Sequence, residues 1–405
     1  MNGKKITFVA SALLVSTMAT VAWAGGTYDV GASDTEIKIG NTNPYSGPAS
    51  AYSIVGKVEE AYFRMVNEQG GVNGRKITFI SYDDAFSPPK TVEQTRKLVE
   101  SDEVLAVFSS LGTAPSLAVR AYMNSKKIPQ IFVSSGSSKF GDHKGFPWSI
   151  GHQPNFFTEG RVFAKYLRSD QPNAKIGVLY QNDDLGKELL EGLKDGLGDK
   201  SSNIAVAIPF EITEPTIDSQ VVKIKSAGAD VFVNFSTPKA AAQAIRKIGE
   251  LNWKPVHLIS KVSMSIGSVM KPAGLENSEG IISATYVKDY NDAQWKDDAG
   301  MKAFDVFMDK YLPGSDKSNA LAVYGYLISE NFVKVLRQCG DNLTRANLMK
   351  QATSLKDMEL GLLLPGITVN TSPTDYYPLK QLRLMRFHNG EWELFGPVID
   401  GRVEN

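Results

Sequence analysis

From about residue 36 onward, short runs of apolar and β-branched residues alternate with longer stretches of helical period, and this alternation limits the fold more than any other feature. "EIKIGNTN" reads as a strand. "AYSIVGKVEEAYFRMVNEQGG" then places Ile54, Val58, Ala61, Tyr62, Met65 and Val66 on one helical face, with Gly70-Gly71 as its stop. "RKITFISYDD", "VLAVFSS" and "IPQIFVSS" continue as strands, separated by the helical "PPKTVEQTRKLVES" and "SLAVRAYMNSKK". Such a β-α-β-α rhythm requires a parallel sheet with helices on both faces.

The rhythm pauses at "WSIGHQPNFF" (148–157) and resumes with "KIGVLYQND", "NIAVAIPFEI", "ADVFVNFS", "VHLIS" and "EGIISATYV" as strands between helices. Two α/β units of similar build are therefore expected. The chain crosses between them near 148–157 and again near Ser283–Lys288. The tail "PLKQLRLMRFHNGEWELFGPVI" reads as a hairpin turning at His388-Asn389-Gly390, which implies a third crossing. The fold class expected is α/β, with two doubly wound domains joined by three crossings. One lobe is read as 27–150 plus 286–365, the other as 151–285 plus 366–405.

The N-terminus has the form of an export signal. Lys4 and Lys5 precede an apolar run from Ile6 to Val21, and Ala22-Trp23-Ala24 forms a small-x-small cleavage site. Residues 1–24 are read as a signal peptide cut after Ala24, with no cysteine following to carry a lipid. No later run reaches the ~18 apolar residues of a membrane span, so the mature chain is expected in the periplasm. Its length of roughly 380 residues suits two domains.

The full chain balances 44 basic against 44 acidic residues, which argues against a nucleic-acid partner. Cys339 is the single cysteine, so no intramolecular disulfide forms and the thiol is expected to be buried. The four histidines have no metal-ligand spacing. Neither a cofactor nor a metal is expected. The sequence has no G-x-S-x-G elbow, P-loop, H-E-x-x-H or dinucleotide fingerprint, so no catalytic residue is assigned.

Two strand ends stand out. "VFSSLGT" and "IFVSSGSS" both break from apolar residues into hydroxyls around a glycine. Hydroxyls and backbone N–H groups of this kind can replace the water of an anion, and glycine lets the backbone approach closely.

The segments "NPYSGPASAY", "VNEQGGVNGRKITFISYDD", "SPPKTVEQTRKLVESDEVLAVFSSLGT" and "IPQIFVSSGSS" resemble the branched-chain amino-acid-binding protein family. These are type I periplasmic solute-binding proteins that deliver to ABC importers. The resemblance implies a ligand held between two lobes, with its carboxylate at the two hydroxyl-rich loops. Gly112 and Thr113 on one loop, and Ser135, Gly136 and Ser137 on the other, match that pattern. Tyr52 matches an aromatic position of the family's cleft, and Tyr45 follows from the same loop. Asp83 and Asp84 fit turn capping better than ligand contact.

Two departures bear on the ligand. Ala240 stands where the amino-acid binders carry the acid that pairs with the ligand's ammonium, and Leu185 replaces a frequent tyrosine. Asp183 and Asp184 are the substitutes considered for that acid. Leu185 and Phe235, with Trp148, Phe140 or Phe156, are expected to form an apolar wall, and Asn182 and Ser263 to bond a distal polar group. Lys261 reads as an exposed loop lysine. The resemblance therefore implies a monomeric binding component that gives a small aromatic or other organic carboxylate to a membrane permease. The alternatives are an amino-acid binder of the same class and a ligand-sensing receptor subunit.

Overall fold

The computed structural model describes residues 1, 3 and 26–401; the expected signal peptide lies almost wholly outside the described residues. A two-residue strand β1 (Thr27–Tyr28) leads into β2 (Glu36–Asn43), helix α1 (Ser53–Glu68), β3 (Lys76–Asp83), α2 (Pro88–Glu100), β4 (Ala106–Phe108), α3 (Thr113–Ser125), β5 (Gln130–Val133) and β6 (Ser149–Gly151). Strands β2 to β6 form one parallel sheet in the order β3-β2-β4-β5-β6.

The chain then builds a second sheet. Its elements are α4 (Phe156–Asp170), β7 (Ile176–Gln181), α5 (Asp184–Leu197), β8 (Ile204–Phe210), α6 (Asp218–Ser226), β9 (Val231–Phe235), α7 (Pro238–Glu250), β10 (Val256–Ile259), the single turn α8 (Lys271–Ala273) and β11 (Ile282–Thr285). It returns to the first sheet with α9 (Ala299–Tyr311), α10 (Ala320–Cys339), β12 (Asn342–Leu343), which pairs with β1, and α11 (Arg345–Ala352). Finally β13 (Gln381–His388) and β14 (Glu391–Asp400) add an antiparallel hairpin to the second sheet, giving β8-β7-β9-β10-β11-β13-β14. The molecule is thus two doubly wound α/β domains joined by three passages of the chain.

In both sheets the winding reverses at the first strand laid down: β2 lies between β3 and β4, and β7 between β8 and β9. Ligands in such sheets sit beyond the carboxyl ends of the strands at this reversal. Both sheets place those ends at one shared cleft.

Local chemistry explains the boundaries. Helix α1 buries Val55, Val58, Ala61, Tyr62, Phe63 and Val66, while Ile54 and Met65 of the expected stripe are only half-buried. The burial stripe is turned toward Val55 and Phe63 because α10 covers that side: Phe332 of α10 stacks on Phe108 at 4.4 Å and meets Phe63 edge-on at 6.2 Å. Gly70 and Gly71 end α1 at φ +98° and +76°, with the Gly71 N–H donating to Val66 O. Asp83 and Asp84 cap the turn after β3. Asp83 accepts from Tyr45 N and Ala85 N, Asp84 from Phe86 N and Thr91 Oγ1.

Cys339 is buried at the end of α10, and burial pushes its thiol up to about 12. Because the thiolate is the reactive form, an aromatic disulfide reagent is expected to label the native protein far more slowly than the unfolded chain. Equal rates in the two states would place this helix end at the surface.

Candidate functional site

A cleft of about 740 Å³, counted to its mouth, lies between the strand ends of the two sheets. On the first side, Leu111 and Gly112 after β4, Thr113 opening α3, and Ser134 and Ser135 after β5 line it, together with Tyr52, Val55 and Phe86. Gly112 adopts φ +104°, and a Cβ there would lie 2.4 Å from the Phe86 ring, so glycine is required twice over. Thr113 Oγ1 and Ser135 Oγ are 2.8 Å apart, and both side chains are buried. Their hydroxyls sit at the N-terminus of α3, where the helix dipole and free N–H groups favour an anion.

The second side is more apolar. Phe156, Leu185, Val262 and Met264 line it, with Thr237, Ser265 and Lys261 as its polar members. Tyr286, Val287, Ala320, Leu321, Tyr324 and Gln153 complete the wall from the connecting segments and α10. None of these lining residues is an aspartate or glutamate. The charged one is Lys261, which is buried and contrasts with the exposed lysine read from the sequence. Its Nζ donates to Glu159 Oε2 at 2.6 Å, its backbone N to Glu159 Oε1 at 2.7 Å, and its ammonium lies 4.7 Å from the Phe156 ring centroid. Both carboxylate oxygens of Glu159 are thereby used.

Five of the eleven positions expected from the sequence line the cleft: Tyr52, Gly112, Thr113, Ser135 and Leu185. The other six lie outside the lining. Gly136 packs against Phe156, whose ring a Cβ would meet at 2.6 Å. Ser137 donates to Glu188 Oε1 at 2.5 Å instead of facing the cleft. Tyr45 Oη bonds Ser81 Oγ, and Asn182 Nδ2 donates to Glu211 Oε1. Phe235 is fully buried against Phe163, and Ser263 donates to Ser236 O.

Of the remaining apolar candidates, Phe156 alone lines the cleft; Trp148 and Phe140 pack elsewhere. Ala240 faces Leu179 and Phe210 in the core on the far side of α7, so it is not a cleft position; Thr237, at the N-cap of α7, is. Neither of the two aspartates is in the lining, although the charge of Asp183 reaches the Tyr52 hydroxyl. Asp183 caps α5 through Gly186 N and accepts from Gln181, and Asp184 pairs with Lys139 at 2.7 Å. Sequence reasoning passed over Ser134, although it lies inside the hydroxyl-rich loop, and missed Gln153, Tyr286 and Tyr324, which stand in no such motif.

Contacts across the cleft hold the two sides together. Tyr52 Oη donates to Val262 O at 3.4 Å, and Ser265 Oγ to Asn319 Oδ1 at 2.8 Å. Glu188 of α5 accepts from both Ser137 Oγ and Ser138 N of the opposite side. Glu188→Ala is expected to weaken ligand retention at least about tenfold, because a hydrogen bond to a charged group is worth about 1.5–3 kcal/mol. Stopped-flow release from the variant checks this, and an unchanged off-rate would exclude the clasp.

A periplasmic binding protein family model matches residues 36–391. The Leu/Ile/Val-binding protein homolog 7 of Brucella abortus (strain 2308) is 22% identical over 347 residues, covering 82% of this chain and 84% of the relative. Among solved structures, a branched-chain amino acid ABC transporter protein from Thermus thermophilus with bound valine superposes with a TM-score of 0.81 at 15% identity, covering 90% of this chain and 97% of that one. A fatty acid ABC transporter substrate-binding protein from Thermomonospora curvata superposes with a TM-score of 0.77 at 20% identity, covering 93% and 95%.

Proposed function

The chain belongs to the periplasmic binding protein family and is a solute-binding protein, not an enzyme, and from that premise we propose that it captures a small organic carboxylate in the cleft for an ABC importer. The observation that carries this reading is the polarity of the lining: paired hydroxyls at a helix N-terminus on one wall, a lysine already paired with Glu159 on the other, and no acid among the described lining residues. A buried ammonium without a carboxylate partner costs several kcal/mol. Glu159, the nearest acid to the cleft lysine, is already engaged by Lys261. A plain carboxylate meets no such obstacle, and the apolar wall of Phe156, Leu185, Val262 and Met264 suits an aromatic or aliphatic remainder.

Thr113 and Ser135 are assigned to the carboxylate, and Tyr52 and Leu185 to the body of the ligand. The lobes read from the sequence are 27–150 with 286–365, and 151–285 with 366–405; because Thr371 bonds Ala352, Tyr376 bonds Pro147 and Tyr377 bonds Ser138, the last passage is assigned instead to the stretch just before β13. Binding proceeds by closure: the open form admits the solute, the cleft shuts over it, and the permease recognises the closed shape. The mature monomer is placed in the periplasm after cleavage at Ala24. A second reading, a branched-chain amino acid as ligand, is favoured by the names of the relatives and by the valine in the Thermus thermophilus structure.

A thermal-shift screen of the mature protein tests the choice, because a ligand of the native state raises the melting temperature by mass action. Benzoate, a cinnamate, 4-methylpentanoate, L-leucine and L-valine form the panel. Shifts from the plain acids are expected. Shifts confined to the amino acids would replace the first reading by the second.

A further inference from the structure

Behind the hydroxyl wall, a buried hydrogen-bonded chain runs from the cleft to a carboxyl group that no part of the binding reaction yet uses. Glu59 of α1 is completely buried, and its Oε1 lies 2.5 Å from Ser109 Oγ. Ser109 Oγ is 2.6 Å from Ser134 Oγ, which is 2.9 Å from Tyr324 Oη. Ser134 and Tyr324 line the cleft. Ser109 holds its place at φ +55°, a left-handed conformation unusual for serine.

Each of the three hydroxyls has one proton to give, so a chain bonded at every link runs with one of two polarities, set by whether Glu59 Oε1 carries a proton. If Glu59 is ionised, Ser109 donates to it, Ser134 donates to Ser109, and Tyr324 donates to Ser134. Tyr324 then offers only lone pairs to the cleft. If Glu59 is a neutral acid with its proton on Oε1, it donates that proton to Ser109 in a hydrogen bond, and every bond reverses. Tyr324 then points its one proton outward, into the ligand space.

We propose that Glu59 is kept as a neutral carboxylic acid, and that its proton orients the Ser109–Ser134–Tyr324 chain so that Tyr324 donates to the ligand's carboxylate. Glu59 is a positioning residue: it touches no ligand and acts through the two serines. The proposal rests on the reading that the cleft takes a carboxylate, a group that plain acids and amino acids share.

The surroundings favour the neutral form. Burial holds the Glu59 carboxyl well above its ordinary range, and the Ser109 bond only partly offsets that. No ion pair reaches it among the described residues. Its other polar contact, Asn41 Nδ2, lies at 3.4 Å and has nearer acceptors in Phe108 O and Ser109 O. The titratable groups coupled to it are Tyr324 on α10 and Tyr45 after β2, both raised by burial and neutral over the working range. His152, on the first crossing with its ring 6.0 Å from that of Tyr324, is pushed down to about 3 by burial and brings no charge.

Two measurements test this. Isotope-edited infrared spectroscopy of the ligand-free protein at neutral pH is expected to show a protonated carboxyl band that Glu59→Gln removes. Calorimetric titration with benzoate, 4-methylpentanoate and L-leucine then follows affinity with pH. For whichever binds, affinity is expected to fall by up to about tenfold per pH unit once pH exceeds the apparent pKa of Glu59, because the ionised acid reverses the chain. Glu59→Gln, a permanently neutral side chain that can still donate, is expected to flatten that profile, and Ser134→Ala to flatten it by cutting the chain. An ionised Glu59 in the ligand-free protein at neutral pH, or a wild-type affinity that stays flat across the pH range in which the Glu59 infrared band disappears, overturns the proposal. Failure of all three compounds to bind at any pH overturns the carboxylate reading and this proposal with it. The infrared band tells that failure from a wrong protonation state.

Discussion

Glu159→Ala is expected to destabilise the protein by about 3–5 kcal/mol, because it leaves the ammonium of Lys261 buried without its partner. Lys261 reaches the cleft lining, but the pair is almost wholly buried, with side chains 2% and 0% exposed, so water does not replace the lost carboxylate. Two charge-assisted bonds vanish together, one to Nζ and one to the Lys261 backbone N–H. Urea denaturation of both proteins provides the number. Replacing both members, Glu159→Leu with Lys261→Met, is expected to restore most of the loss, since the desolvation penalty of both ions disappears with them. A Glu159→Ala loss below about 1 kcal/mol would match the worth of an exposed pair and contradict the buried geometry.

The second large effect falls on binding. Thr113→Ala combined with Ser135→Ala is expected to weaken a carboxylate ligand by at least about 2 kcal/mol, near thirtyfold, since a hydrogen bond to a charged group is worth about 1.5–3 kcal/mol. The two effects will not add fully, because Thr113 Oγ1 and Ser135 Oγ are bonded to each other at 2.8 Å. Stability should change little by comparison, as the backbone of both loops is held by other bonds: Gly112 N donates to Ser134 O, and Ser134 N to Ser110 O. Calorimetry on the double variant checks this. Unchanged affinity would remove the carboxylate from this wall.

The α/β alternation, the passages between domains and the terminal hairpin were legible in the sequence because each is a local pattern. A strand of "VFVNF" or a helix stop at Gly70-Gly71 needs no knowledge of distant residues. The two hydroxyl-rich strand ends were legible for the same reason, since the doubly wound topology fixes where such ends converge. Pairings between distant segments were not. Lys261 meets Glu159 across 102 residues and Ser134 meets Tyr324 across 190, and periodicity says which face is buried without saying what it meets. Ser137 shows the finer failure. It is two residues from Ser135, on the same loop, but the turn that begins at Ser138 directs its hydroxyl to Glu188. Ala240 lies on the core side of α7, and of this stretch only Thr237, the residue before the helix, lines the cleft.

The most direct test of the carboxylate cleft is a matched pair of ligands, 4-methylpentanoate and L-leucine, which share a carbon skeleton and differ by the α-ammonium. Isothermal titration of each into the mature protein isolates that one group. The lining of Thr113, Ser135 and Lys261 without an acid predicts that the plain acid binds the more tightly. Tight binding of leucine with none of 4-methylpentanoate would contradict it, and would require a carboxylate to reach the ligand from outside the present lining.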